Sequence, residues 1–339
     1  MVHARATGIA AGFALLALCT ALPAQEEPVR VVFDTDMGND IDDALALAML
    51  HALDGRGECQ LLSVTLTKDN SYSAPFVDIV NTFYGRGQVP IGVCRSGITP
   101  EDGSYTKAVV AATGDGRARY ARTATDNWPD AVTVLRRVLA GQPDGSVAAV
   151  QVGFSTNLSN LLDSPADAIS PLNGLDLVRT KVRLLSIMAG VFSGDPKDAD
   201  FGEYNIVNDL PAAQKLVERW PTETVMSGFE VGASLLYPAR SIEEDYAYVA
   251  HHPVAEAYRA YLTMPYDRPT WDLTSALYAV RPSFAYFGLS APGRILIDGQ
   301  GHTQFEEDPT GRHRYLRVPG GGADRILEAM QLLCSQPPR

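Results

Sequence analysis

Short apolar runs rich in β-branched residues alternate along this chain with longer segments whose apolar positions recur every three or four residues. The first pattern predicts buried strands, and the second predicts amphipathic helices. Their alternation is typical of an open, mostly parallel sheet with helices on both faces, which is a Rossmann-like α/β fold. The predicted strands cover 29–33, 60–66, 89–93, 147–152, 182–188, 224–226 and 294–297. Predicted helices cover 42–53, 74–84, 128–139, 211–220, 253–261, 271–280 and 323–333.

The amino-terminal segment has a different pattern, which is typical of an export signal. Arg5 is its only strong charge, and a mainly apolar stretch covers 8–22. This stretch is shorter than the roughly 18–20 residues of a membrane-spanning helix. We therefore predict a removed signal peptide at 1–24, a single domain at 25–339, and a periplasmic or secreted protein with no membrane partner after removal. A lipoprotein anchor at Cys19 is disfavoured by the bulky residue that precedes it.

Composition narrows the choice of partners. The chain has 40 Asp and Glu against 28 Lys and Arg, and its formal net charge is −12. A phosphate backbone would be repelled by this charge, so we expect no nucleic-acid partner. Cys59, Cys94 and Cys334 would remain after export, without a CxxC spacing. Small buried thiols are the favoured interpretation, and one disulfide pair stays open as an alternative.

Five aspartates crowd into ten residues where the first predicted strand leads into the first predicted helix, in the sequence DTDMGNDIDD. These carboxylates would repel one another unless a cation or backbone N–H donors compensated them. A helix cap accounts for one or two of them but not for five. The motif therefore predicts a hard-cation site. Every nearby candidate ligand is an oxygen, which favours Ca²⁺ over magnesium or zinc.

Polar and small residues follow several other predicted strands. Thr67-Lys-Asp-Asn70 follows the second strand, Val152-Gly153 ends the fourth, and Met188-Ala-Gly190 ends the fifth. Ligands of open α/β sheets bind outside the carboxyl ends of the strands, so these groups are candidate rim residues of one pocket. The stretch 99–127, rich in Gly, Thr, Asp and Arg, predicts an ordered surface loop beside them.

Four segments together resemble the inosine-uridine-type nucleoside hydrolases. DTDMGNDIDDA at 34–44 resembles that family's amino-terminal DxDxGxDDA signature with two extra residues. VGFSTNL at 152–158 is similar to its TGPLTNL-type segment, and EYNI at 203–206 is similar to its EFNI segment. Trp271-Asp272 stands where the family has a residue followed by a metal-binding aspartate. The matches follow the family's order and span most of the predicted mature chain.

The resemblance implies calcium-assisted hydrolysis of the N-glycosidic bond of a ribonucleoside, which gives free base and ribose. It implies a Ca²⁺ ion held by Asp36, Asp43, the main-chain carbonyl of Val152 and Asp272. Asp36 would be the general base. The pocket would also contain Asp42, Asn70, Glu203 and Asn205 as contacts to the sugar hydroxyls, with Met188 as a lining residue. Relatives are often dimers or tetramers, so the resemblance allows for a homo-oligomer.

The leaving-group side departs from the family pattern. Trp271 stands where many members have a histidine that helps to protonate the departing base. In the purine-preferring branch an indole stacks on the base instead, so purine nucleosides are the first candidates for substrate. A buried aromatic residue at the start of a helix is an equally good interpretation. His251 and His252 offer an alternative acid, although a helix start at Pro253 explains them better.

Asp40 and the residues before Asn70 also depart from the family pattern. Asp40 has no counterpart in the shorter signature, and it could be a further ligand, a supporting group or a helix cap. The insertion also leaves open whether Asp42 and Asp43 exchange roles with Asp40. Lys and Asp precede Asn70, whereas many members have Gly-Asn at this place.

Two other function classes share parts of this sequence pattern with the hydrolase. A dehalogenase-type phosphatase would use paired aspartates after a strand, but it requires Thr or Val where Gly38 stands. A non-catalytic exported binder of nucleosides or sugars would keep the calcium pocket without turnover. The retained carboxylate of Asp36 favours an enzyme, and a hydrolase of another ribosyl glycoside would use the same groups.

Overall fold

The computed structural model describes residues 1–4, 27–192 and 201–339. The predicted signal segment, including Cys19, lies almost wholly outside these described residues. Among the helices described, none is long and apolar enough to cross a membrane. Cys59, Cys94 and Cys334 are buried free thiols, which agrees with the favoured interpretation of these residues.

A ten-stranded, mostly parallel sheet forms the centre of the fold. Four further strands form two separate pairs, β4 with β5 and β9 with β10. In chain order the strands of the described residues are β1 (Val29–Thr35), β2 (Cys59–Leu66), β3 (Ile91–Val93), β4 (Thr113–Gly114), β5 (Arg117–Ala118), β6 (Val147–Gln151), β7 (Val182–Met188), β8 (Glu223–Ser227), β9 (Leu236–Tyr237), β10 (Arg268–Pro269), β11 (Gly288–Leu289), β12 (Gly293–Ile297), β13 (Thr303–Glu307) and β14 (His313–Arg317). The sheet order is β13-β12-β14-β8-β7-β6-β1-β2-β3, with β11 beside β14. All neighbours from β14 to β3 are parallel, and β12 pairs antiparallel with β13 and β14.

Helices cover both faces of this sheet, and the predicted fold class is confirmed. They are α1 (Asp42–Gly55), α2 (Ser73–Phe83), α3 (Ser104–Val110), α4 (Ala131–Ala140), α5 (Thr156–Asp163), α6 (Gly174–Lys181), α7 (Tyr204–Asn208), α8 (Leu210–Arg219), α9 (Phe229–Ala233), α10 (Ala239–Glu244), α11 (Pro253–Tyr261), α12 (Trp271–Val280) and α13 (Ala323–Cys334). Alternate residues of β1 point to opposite faces. Val31 and Phe33 join the core under α1 and α12, whereas Val32 joins the core under α4 and α5.

Two regions differ from the expectation. Strands β13 and β14 were not predicted, because most of their residues are polar and eight of the ten are exposed or only half-buried. The stretch 99–127 was predicted as a loop, yet it contains helix α3 and the short β4–β5 hairpin. Tyr105 of α3 is completely buried, so this stretch is packed structure rather than a surface loop alone.

His51 on α1 provides a test of the core that is independent of the functional site. Its Nε2 lies 2.8 Å from Oδ1 of Asn81, and its ring stacks on Tyr84 at 5.0 Å. Burial lowers the pKa of His51 from 6.5 to about 4, and it outweighs the hydrogen bond to Asn81, which acts in the opposite direction. The unfolded chain therefore binds a proton at a higher pH than the folded chain does.

We expect the free energy of unfolding of wild type to fall relative to that of His51→Gln as the pH falls from 6.5 towards 4. The slope of the difference should approach about 1.4 kcal/mol per pH unit, since one proton separates the two states. Urea unfolding of both proteins at several pH values measures it, because the other titrating groups cancel in the difference. Parallel pH profiles would contradict a neutral, buried His51.

Candidate active site

An open cavity of about 360 Å³ lies at the carboxyl ends of β1, β6, β7 and β8. From β1 the sheet continues through β2 and β3 on one side and through β6, β7 and β8 on the other. Such a switch in strand order leaves a crevice between adjacent loops, where open α/β sheets bind ligands. The cavity is lined by Asp36, Asn39, Asp40, Asp42, Asp43, Val152, Met188, Glu203, Tyr204, Asn205, Phe229, Tyr261, Trp271 and Asp272.

Two helix amino termini contribute carboxylates to the cavity. Asp42 and Asp43 belong to the first turn of α1, and Asp272 belongs to the first turn of α12. The backbone N–H of Asp272 donates to Oδ2 of Asp42 at 3.0 Å, so the two helix starts are joined directly. The partial positive charge of a helix amino terminus offsets part of the cost of burying these carboxylates.

The loop between β1 and α1 is fixed by residues from α3. Gly38 has φ +119°, a backbone conformation that L-residues other than glycine rarely adopt. Its N–H donates to the hydroxyl of Tyr105 at 2.7 Å, and that hydroxyl donates to the carbonyl of Asp40 at 2.7 Å. The hydroxyl of Thr35 donates to Oδ1 of Asp43. The acidic loop is therefore held in one conformation by the protein itself.

Asp36 lies at the end of a polar chain. Nδ2 of Asn39 donates to Oδ2 of Asp36, and Nζ of the buried Lys68 donates to Oδ1 of Asn39. Burial raises the pKa of Asp36 to about 6, although the hydrogen bond from Asn39 and the charge of Lys68 act in the opposite direction. A carboxylate with a pKa in this range can accept a proton near neutral pH.

Asp40 is bonded to an arginine that is distant in the chain. Nε of Arg268 donates to Oδ1 of Asp40 at 2.8 Å, and Nη2 of Arg268 donates to Oδ2. The N–H of Ile41 also donates to Oδ1 at 2.6 Å. Both carboxylate oxygens are therefore engaged in a bidentate ion pair. Burial disfavours the charged guanidinium of Arg268, but the hydrogen bond and charge of Asp40 outweigh it and raise the pKa of Arg268.

Asp42, Asp43 and Asp272 form no ion pair among the described residues, and the charge of Arg268 offsets only part of the repulsion at Asp42. Burial raises the pKa values of Asp43 and Asp272 well above the ordinary range, and repulsion from the neighbouring aspartates adds to this effect. Burial and repulsion from Asp40 raise the pKa of Asp42 in the same way. Oδ2 of Asp43 is buried without a hydrogen-bond partner. This donor set of close, buried carboxylate oxygens fits a hard divalent cation.

The arrangement is nevertheless not a closed coordination shell. Across 27–192 and 201–339, no group of three or more His, Cys, Asp or Glu side chains is arranged to hold a metal ion. The match to a cation therefore rests on the donor chemistry and on the unpartnered oxygen of Asp43.

Glu203 and Asn205 form the opposite side of the cavity at the start of α7. Oε1 of Glu203 accepts from the N–H of Asn205 at 2.8 Å, and Oε2 accepts from the N–H of Ile206 at 3.2 Å. Nδ2 of Asn205 donates to the carbonyls of Val152 at 3.2 Å and Met188 at 3.3 Å. Burial raises the pKa of Glu203 to about 7. This effect outweighs the hydrogen bonds that the carboxylate of Glu203 accepts from backbone N–H groups, which lower the pKa.

Nine of the ten predicted site residues line this cavity, and Asn70 does not. Oδ1 of Asn70 instead accepts from the N–H groups of Tyr72 and Ser73 at 2.9 Å, at the start of α2. Asn39, which the prediction missed, supplies the amide beside Asp36. Its position between two residues of the acidic motif was the signal that could have indicated it.

Four aromatic side chains line the cavity and are called the aromatic wall here: Tyr204, Phe229, Tyr261 and Trp271. Nε1 of Trp271 donates to the carbonyl of Phe229 at 2.9 Å, and the two rings stack at 5.3 Å. Tyr204 and Tyr261 also line the cavity, and sequence patterns alone did not indicate them. His251 and His252 do not line it. Nδ1 of His252 accepts from N–H groups at the start of α11, as the helix-start interpretation requires.

Comparisons with known proteins agree with this architecture. The sequence profile of the family described as inosine-uridine preferring nucleoside hydrolase matches residues 31–321. Among proteins with curated descriptions, none matches the sequence. A purine-preferring ribonucleoside hydrolase from Gardnerella vaginalis superposes with a TM-score of 0.67 at 17% identity, covering 90% of this chain and 98% of its own.

Two further solved structures have the same fold. An inosine-uridine preferring nucleoside hydrolase from Bacillus anthracis gives a TM-score of 0.67 at 16% identity, covering 91% of this chain and 99% of its own. An inosine-guanosine nucleoside hydrolase gives 0.66 at 15% identity, covering 90% and 98%. At such low identity these likenesses confirm the fold of the whole described region.

Proposed function

This chain belongs to the inosine-uridine preferring nucleoside hydrolase family and is thus an enzyme that acts on N-glycosyl bonds, and we propose that it hydrolyses purine ribonucleosides with a bound Ca²⁺. The observation that carries this proposal is the buried carboxylate cluster of Asp36, Asp43 and Asp272 beside an aromatic wall. A cation would balance the carboxylates, and a planar base would fit the wall.

Ca²⁺ would be held by Asp36, Asp43, Asp272 and the carbonyl of Val152. A divalent cation at this place supplies positive charge that makes a nearby water molecule more acidic. Oxygen donors without His or Cys favour calcium over zinc. The amide of Asn205 already donates to the carbonyl of Val152, which leaves that oxygen a second lone pair for the ion.

Asp36 would take the proton from the attacking water. Asp36 suits this role because it lines the cavity and the amide of Asn39 holds one of its carboxylate oxygens in place. Asp42, Glu203 and Asn205 would hold the sugar hydroxyls and fix the orientation of the ribose. The cluster of negative charge would also stabilise the positive charge that develops on the ribose ring as the bond to the base breaks.

The aromatic wall supports the choice of a purine. The aromatic wall offers ring surface to the cavity through Phe229, Trp271, Tyr204 and Tyr261. A two-ring base covers more of such a wall than a one-ring base does, and an aromatic pair contributes about 0.5–1.5 kcal/mol beyond its buried area. The predicted signal at 1–24 supports action outside the cytoplasm on scavenged nucleosides, and a homo-oligomer stays a prediction.

We expect inosine, guanosine and adenosine to be cleaved about tenfold faster than uridine and cytidine at equal subsaturating concentration. The measurement is release of ribose from each nucleoside by calcium-loaded protein and by chelator-treated protein. Activity should disappear with the chelator and return with Ca²⁺. Binding of nucleoside without any release of ribose would favour the non-catalytic binder, and faster cleavage of pyrimidine nucleosides would contradict the role of the wall.

A further inference from the structure

Lys68 is a buried cation beside the candidate active site to which the proposed reaction gives no role. Only 1% of its surface is exposed, although lysine is almost never fully buried without a partner. Within the described residues, its Nζ makes a single hydrogen bond, which it donates to Oδ1 of Asn39. Asn39 lines the cavity and donates in turn to Asp36. Lys68 therefore reaches the carboxylate of Asp36 through one intermediate side chain.

The position of Asn39 between a lysine and a carboxylate allows only one direction of its side-chain amide. An ammonium group only donates hydrogen bonds, and a carboxylate only accepts them. Oδ1 of Asn39 must therefore face Lys68, and Nδ2 must face Oδ2 of Asp36, as the structure has them. Nδ2 also donates to the hydroxyl of Thr99 at 3.3 Å. The amide is thus held by three partners, and the lysine fixes which end faces the cavity carboxylate.

Negative charge near Lys68 favours its donor-only form. Burial lowers the pKa of Lys68, whereas the charges of Asp36 and three further carboxylates raise it and favour the ammonium group. Both members of the pair stand where the chain departs from the family signature. Asn39 lies in the lengthened part of the acidic motif, and Lys68 precedes Asp69-Asn70, where many members have Gly-Asn. The arrangement is therefore a feature of this chain and not of the signature.

We propose that Lys68 is a positioning residue that fixes the amide of Asn39 and thereby the orientation of the carboxylate of Asp36. This inference rests on the proposed nucleoside hydrolysis, in which Asp36 takes a proton from water. Such a transfer requires the accepting oxygen to lie within hydrogen-bonding reach of that proton. Without the donor at Lys68 the amide can invert, and Oδ1 of Asn39 then repels Asp36. The carboxylate rotates away, so proton transfer slows while the sugar contacts remain.

The test is a double-mutant cycle in the calcium-loaded protein. Release of ribose from the best nucleoside gives kcat and KM for wild type, Lys68→Met, Asn39→Ala and the double variant. We expect each single substitution to lower kcat about 100-fold, and Lys68→Met to leave KM within about threefold. Because Lys68 acts through Asn39, the kcat of the double variant should equal that of Asn39→Ala within about threefold. Independent losses that multiply to about 10⁴-fold would overturn the proposal.

A matched control is Lys107→Met, which removes an exposed lysine that pairs with Asp102 and does not line the cavity. It should leave kcat and KM unchanged. A kcat of Lys68→Met within about threefold of wild type would also overturn the role of Lys68. If Lys68→Met does not fold, Lys68→Gln takes its place in the same cycle, because its amide can accept as well as donate and no longer dictates the direction of Asn39.

A crystal structure of Lys68→Met supplies a result that does not depend on turnover. We expect the distance from the amide of Asn39 to Oδ2 of Asp36 to exceed about 3.5 Å in this variant. In Lys107→Met the contact should remain. A contact that persists in Lys68→Met would overturn the positioning role. Failure of wild type to cleave any nucleoside would instead remove the proposed function, and the crystal structure would still decide whether Lys68 holds Asn39 against Asp36.

Discussion

Replacing Asp36 with asparagine is expected to lower kcat by about 10³- to 10⁴-fold, because the amide cannot accept the proton of the attacking water. The size and shape of the side chain stay the same, so the cavity and the loop should persist. Steady-state release of ribose from the best nucleoside gives kcat and KM for both proteins. The thermal unfolding temperature of the variant shows that it is folded, and its rise on addition of Ca²⁺ shows whether the ion still binds.

A close control for this substitution is Asp34→Asn. Asp34 is equally buried two residues earlier, but it does not line the cavity. Oδ1 of Asp34 accepts from Thr65 and, at 2.8 Å, from Nδ2 of Asn157. Asp34→Asn should lower kcat by less than about tenfold, since it affects no proton transfer. A rate of Asp36→Asn above one tenth of wild type would exclude Asp36 as the general base.

Asp272→Asn is expected to have opposite effects in the absence and presence of Ca²⁺. Asp272 is buried near four other aspartates that repel its charge, and no hydrogen bond of its carboxylate relieves the repulsion within the described residues. A neutral amide removes one buried charge, so the calcium-free variant should be more stable than calcium-free wild type by on the order of 1–3 kcal/mol. Ca²⁺ at 100 times its Kd should stabilise wild type by about 2.7 kcal/mol and the variant hardly at all.

Denaturant unfolding with chelator and with Ca²⁺ measures both effects in one experiment. Asp126→Asn is the comparison for the loss of one negative charge, because Asp126 is exposed and pairs only with Arg122. It should change neither the stability nor the calcium response. A calcium response in Asp272→Asn equal to that of wild type would show that Asp272 is not a ligand, while a less stable calcium-free variant would show that the cluster is not strained by its charge.

The sequence was sufficient to predict the buried parallel strands and the carboxylate cluster, for a physical reason. Buried parallel strands are continuous apolar runs, so β1, β6 and β7 stand out from their surroundings. The acidic motif is equally conspicuous because its members are close together in the chain. Strand β13 lies at the edge of the sheet with alternating exposed residues, and no apolar run distinguishes it from a loop.

Contacts between distant parts of the chain could not be predicted in the same way. The pairing of Asp40 with Arg268 joins residues 228 positions apart, and neither residue has a pattern that indicates the other. Asn70 was assigned by its place after a strand, but its side chain serves the local turn into α2. Polar residues after strands have local and long-range uses that look alike in sequence, and only the packed structure separates them.

The hydrogen bond from the N–H of Asp272 to Asp42 joins the starts of α12 and α1, and it affects how the protein folds. It connects residues that are 230 positions apart, so the carboxylate pocket closes only after a very large loop has been closed. Long-range contacts of this kind form slowly, because the entropy of loop closure must be lost before the contact stabilises the chain. A nascent chain that lacks its last seventy or so residues would have the acidic motif but no pocket. The pocket is therefore complete only when nearly the whole chain has folded, so no amino-terminal fragment that ends before Asp272 is expected to be active.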